Sequence, residues 1–240
     1  MPDSEFKFNV DLLREYGAAA LQNASELLAE ANLLFSNGHN ARAYFLAVAS
    51  IEETGKALQA FDAQGRNLRD SAVTTKLRRA MEDHSQKITM GFSAMLQASP
   101  DIRKTILPMT ELMVHLKRGR EPSMYTDIRY ETSEVKTPSV LVKDIAARDC
   151  VRLASDCLAH AKKHIAEKKP LRRTRSEDEL FSMKSDQFQN LAKTEGFWWF
   201  WLAQHESGKT DFAAAAVTYQ RDFVSKGKIF ERPENMKSGS

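Results

Sequence analysis

Residues 41–56 read ARAYFLAVASIEETGK, and they decide the fold. From Ala43 to Ala49 the run is apolar on every face, so a helix built from it sits centrally among other helices. Directly after it come Glu52, Glu53 and Lys56. Burying a carboxylate costs several kcal/mol unless it is paired and hydrogen-bonded, so charge on so apolar a helix asks for an explanation. Glu52 and Lys56 lie four apart, on one helix face and in the favourable order. Two explanations stand at this point: the helix emerges into solvent at Ile51, or the acids join a buried polar network.

Outward from this stretch the periodicity stays helical. The central helix runs from about Asn40 to Ala63, closed by Gly65. A first helix spans about Asp11 to Phe35 and ends at Ser36-Asn37-Gly38, where Gly38 takes the left-handed conformation. A third covers Ala72 to Gln97, a fourth Ile102 to Arg118. Gly119 to Val140, with two prolines, reads as an irregular ordered loop pinned by Tyr125 and Ile128. A fifth helix, Leu141 to Lys168, repeats Ala146, Cys150, Leu153, Cys157 and Ala161 as a packing seam. The basic run Lys168 to Arg175 carries a proline and marks a boundary, giving a main domain over 1–168 and an extension over 169–240. In the extension, Ser176 and Glu179 form a capping-box pattern, Phe197 to Leu202 is an aromatic block, and a last helix covers Asp211 to Val224. Lys237 to Ser240 reads as unstructured. The expected class is all-α, a helical bundle with a C-terminal helical extension.

Composition agrees. Glycine and proline are scarce, at 10 and 7 residues, which argues against a sandwich or barrel. A net charge of +3 is too small for a global field that holds nucleic acid unaided. The opening MPDSEFKFNV lacks a signal pattern and no stretch is apolar enough to span a bilayer, so a cytoplasmic protein with no membrane contact is expected. Cys150 and Cys157, two helical turns or roughly 10 Å apart, cannot form a disulfide and are read as reduced core thiols.

Three further groups carry possible chemistry. In the stretch from Arg78 to Lys87, Arg79 and Arg78 stand five and six residues before His84, so neither shares its helix face, whereas Lys87 does. A histidine moves protons near neutral pH and a neighbouring cation stabilises a phosphate. Cys157, His160 and His164 share a face that would suit zinc, but no fourth ligand is evident and a core cysteine with two boundary histidines is the better account; no metal or cofactor is expected. The aromatic block is expected to bury itself in a core or an oligomer interface, with the interface favoured, rather than to stack bases.

The order of these pieces, ARAYFLAVASIEETGK, then Asp83-His84 with Lys87, then RGREPSMYTD over Arg118 to Asp127, resembles the AbiV family of bacterial abortive-infection proteins, within the broader HEPN group. The resemblance spans about Leu12 to Ile165. It implies an HEPN-like helical bundle that often dimerises, and many such domains are metal-independent ribonucleases using an Arg-x4–6-His motif. It implies roles in catalysis for His84, Arg79, Lys87, Glu52, Glu53 and Lys56, and in substrate or partner binding for Arg78, Arg120, Tyr125 and Asp127. Ala80 departs from the polar residue that commonly follows the arginine. The implied function is an anti-phage effector that shuts down translation or RNA metabolism, as a homodimer with RNA as substrate. The rival is a non-catalytic module that traps a phage-derived or host protein.

Overall fold

The computed structural model describes residues 7–231; the expectation for Lys237 to Ser240 lies outside them. Helix α2 (Asn40–Ala63) is the central element, with Ala43, Ala47, Val48, Ile51, Ala60 and Ala63 fully buried. Helix α1 (Val10–Ser36) starts at Asn9, whose side chain accepts from the Leu12 amide at 2.8 Å. It turns back through Gly38, at φ 76°. The short turn makes α1 and α2 antiparallel neighbours. Ala20, Ala24 and Ala31 let the two backbones approach, and Ser50 Oγ donates to the Ala24 carbonyl at 2.8 Å.

The expected helix over Ala72 to Gln97 is three helices: α3 (Ser71–Glu82), α4 (His84–Gly91) and α5 (Ser93–Ala98). Asp83 makes the first break. Its backbone is extended (φ −77°, ψ 115°) and its carboxylate accepts from the Gln86 amide at 2.8 Å, capping α4. Helix α4 then lies directly on α2. A Cβ built on Gly55 would stand 1.9 Å from the Lys87 carbonyl oxygen, and one on Gly91 2.7 Å from that of Ile51. Only two glycines facing backbone permit that crossing.

Helix α6 (Ile102–Gly119) is capped by Asp101 and buries Met109 and Leu116. The loop after it is more regular than expected: β1 (Asp127–Arg129) and β2 (Glu134–Lys136) pair antiparallel, Ile128 opposite Val135. Tyr125 and Ile128 do not pin it, being 59% and 49% exposed. Ser123 does, buried, with its amide donating to the Gly119 carbonyl at 3.1 Å and its hydroxyl to the Arg120 carbonyl at 2.5 Å. After the single turn α7 (Pro138–Leu141), the extended Lys143 delays α8 to Asp144–Glu167. Its seam holds at Cys150, Cys157 and Ala161, but Ala147 is buried in place of Ala146. Burial pushes both thiols up, Cys157 to about 12, so they stay protonated and unreactive. No described helix is long and apolar enough to cross a membrane.

A second compact unit gathers the chain from Arg172 together with Arg66–Lys76, a segment that a reading along the chain does not join to it. It contains α9 (Arg175–Ser182), α10 (Ser185–Lys193), α11 (Glu195–Glu206), α12 (Phe212–Asp222) and a 3-10 turn at Val224–Lys226. The capping box is Thr174 with Glu177, two residues ahead of the expected pair. Phe197 and Phe200 of the aromatic block are buried against Leu191, Ala215, Ala216 and Tyr219, so that half of it is this unit's own core rather than an oligomer interface. Trp198 and Leu202 stay outside, 44% and 43% exposed. Asp178, itself buried, accepts from Arg66 Nη1 at 3.1 Å and the Asn67 amide at 2.9 Å, while the Arg66 guanidinium stacks 3.8 Å over Phe181.

Gly55→Ala is expected to lose about 2 kcal/mol or more, because the methyl meets backbone that no rotamer change can move; chemical denaturation reads it, and a wild-type midpoint refutes the crossing. Tyr219→Phe should leave stability unchanged or raise it by about 1 kcal/mol. The buried Tyr219 hydroxyl has no hydrogen-bond partner, so a destabilised variant would show that the hydroxyl is satisfied.

Candidate functional site

Helix α2 does not emerge at Ile51. Glu52, the next residue, is 5% exposed and carries the charge of the site. Three basic side chains from two other segments surround it. Its Oε2 lies 2.7 Å from His84 Nδ1 and 3.5 Å from Lys87 Nζ, and its Oε1 lies 2.8 Å from Arg120 Nε. The Arg120 contact is close but misaligned: neither Nε nor Oε1 completes a hydrogen bond, so this is an ion pair without a directed N–H···O. Lys87 is 5% exposed, while the His84 side chain is 54% exposed.

Local sequence explains each placement. The Asp83 cap makes His84 the first residue of α4 and Lys87 its fourth, one turn on and on the same face. The Gly55–Gly91 crossing lowers that turn onto Glu52, one helical turn before Gly55. Arg120 follows the last residue of α6. There a Cβ on Gly119 would stand 2.5 Å from the Tyr44 hydroxyl, and the arginine's guanidinium faces the Phe45 ring at 5.6 Å.

A carboxylate only accepts, so His84 donates from Nδ1 and Nε2 is the acceptor nitrogen of the neutral ring. Glu52 thereby fixes ring orientation and tautomer, the part played by a buried acid behind a histidine base.

Other expected residues lie elsewhere. Glu53 and Lys56 form an ion pair of their own beside Tyr16. Burial alone would lower the Lys56 ammonium, but the Glu53 hydrogen bond and charge outweigh it and raise it. Burial likewise raises Tyr16. Arg79 is exposed on α3, and its backbone carbonyl accepts from the Asp83 amide at 3.0 Å. Arg78 pairs with Glu82 at 3.3 Å in the open. Tyr125 is exposed, and Asp127 accepts from the neighbouring Ile128 amide at 2.8 Å. Lys87 is too buried to meet a substrate as a second cation. Cys157 packs on Met95, His164 stands edge-on to Phe61 at 5.5 Å, and among the described residues no three His, Cys, Asp or Glu side chains converge on a metal position. Gly55 is the residue that sequence reasoning passed over. A glycine inside a helix is costly relative to alanine, and that cost was its signal.

Glu52→Gln keeps shape and removes the charge that Lys87 depends on. It is expected to destabilise by about 3 kcal/mol, the low end for a broken buried pair because His84 and Arg120 reach water. Adding Lys87→Met should recover part of the loss; if the double variant is no more stable than E52Q in urea, the two groups do not depend on each other.

No curated protein and no solved structure matches the chain. The family model for AbiV, an HEPN-type domain, matches residues 12–159, more than half of the chain and every member of the Glu52 cluster. The chain therefore belongs to the AbiV family of HEPN-type helical proteins.

Proposed function

We propose that this protein is an abortive-infection effector that acts as a metal-independent ribonuclease through His84, working as a homodimer in the cytoplasm. The observation that carries the reading is the 2.7 Å contact between His84 Nδ1 and the buried Glu52 carboxylate, with the His84 side chain about half exposed. A buried acid behind an exposed histidine is an arrangement suited to general base work.

The chemistry balances without an added reagent. His84 Nε2 takes the proton of a ribose 2′-hydroxyl, the O2′–P bond forms, and the P–O5′ bond breaks. The departing 5′ oxygen takes up the proton that the imidazolium returns. The products are a 2′,3′-cyclic phosphate and a 5′-hydroxyl. Glu52 and Lys87 are positioning residues: one holds the ring, the other places positive charge 3.5 Å from the carboxylate.

A second reading, capture of a phage or host protein, draws on a different surface. The hairpin exposes Ile128, Tyr130 and Val135, at 49%, 83% and 63%, beside Tyr125 at 59%, more apolar surface than a solvated turn requires.

Purified full-length protein should cleave labelled RNA with chelator present, and His84→Ala should slow cleavage about 100-fold or more while abolishing toxicity in a bacterial host. Intact RNA with wild type, or an H84A variant that cleaves as fast, overturns the catalytic reading. Toxicity that survives H84A alongside a discrete bound protein favours capture.

A further inference from the structure

An arginine other than Arg79 is built into the His84 centre. Arg120 reaches one oxygen of Glu52 while His84 holds the other. Its Nε is sealed from solvent, yet the side chain as a whole is 24% exposed, and neither terminal amino group donates to any described residue. Those two groups form the free edge of the guanidinium fork. The planar fork is the donor set that grips phosphate oxygens in pairs.

The tether to Glu52 is close without being a finished hydrogen bond. A guanidinium held this way is placed by charge but not locked by direction, and it can tilt toward an arriving anion at little cost. Its backbone, by contrast, is fixed: Ser123 donates to its carbonyl, and Gly119 is wedged against Tyr44. Open space lies next to Phe45 rather than at Arg120 itself. Phe45, whose ring faces the guanidinium, also lines a cavity of about 770 Å³ with Ser123, Met124 and Arg42, and no acidic residue lines it. Charge supports the same assignment: two basic side chains, Lys87 and Arg120, share the single Glu52 carboxylate.

We infer that Arg120 is the arginine that binds the phosphate of the RNA strand at the His84 centre, with Glu52 as its partner when the site is empty. This rests on the reading of His84 as the reacting base, and it displaces Arg79 from the role that spacing alone gives it.

The test measures binding separately from cleavage. A short oligoribonucleotide with a single 2′-deoxy sugar at the cleavage position, labelled for anisotropy, is titrated into wild type, Arg120→Gln, Arg120→Lys and Arg79→Gln over a range of salt. R120Q should weaken binding at least tenfold, and more than R79Q does. It should also flatten the plot of log affinity against log salt by about 0.7, the signature of one lost phosphate contact on a single strand. R120K retains the charge against Glu52 and should melt near the wild-type temperature, but without the fork it should recover only part of the affinity; full recovery would mean that Arg120 serves only to neutralise Glu52. R120Q binding like wild type, R79Q carrying the loss instead, or wild type binding no oligonucleotide each overturns the assignment. Binding that depends on Arg120 in a protein that leaves all-ribose RNA intact would uphold Arg120 and refute the catalytic reading of His84.

Discussion

A carboxylate inside a helical bundle is tolerated only if positive charge is delivered to it, and the main unit of this protein is arranged around that delivery. Glu52 projects from the most buried helix of the fold. Its counter-charges come from α4 and from the end of α6, elements 32 and more residues away in sequence. Each of those elements must arrive at a particular distance, and each does so over a glycine. The requirement for charge on Glu52 and the requirement for close backbone approach are therefore one constraint.

That coupling accounts for the stiffness expected of the site. Lys87 has little room to move, because its own carbonyl rests on Gly55. His84 is the first residue after a capped break, so its backbone is set by Asp83 and its ring by Glu52. A side chain held at both ends in this way is restricted to one rotamer and one tautomer.

Much of this was legible in the sequence. The all-apolar run from Ala43 fixed α2 as the central helix, and the charged residues that follow it marked where the site would be. What could not be read was which acid turns inward. Glu52 and Glu53 are neighbours and look alike in one dimension, but they face about 100° apart on the helix, one toward α4 and the other toward Lys56 and Tyr16. The break at Asp83 was also hidden. Without a proline or glycine there, helical periodicity simply continues through Glu82 to Gln86, and only the pairing of the Asp83 carboxylate with the Gln86 amide reveals the cap. The same gap misplaced Arg79, whose spacing to His84 was measured along a helix that the structure divides. The second unit was half legible: aromatic content announced a core, while the recruitment of Arg66–Lys76 depends on a salt link across more than a hundred residues.

Ser123 has one more effect. By closing the chain onto Gly119 and Arg120 before β1 begins, it separates the hairpin mechanically from the charged centre. Residues 127–136 can therefore lengthen, shorten or change their exposed side chains without moving the arginine that precedes them. Such a division lets an outward-facing appendage diversify while the charged centre behind it stays constant.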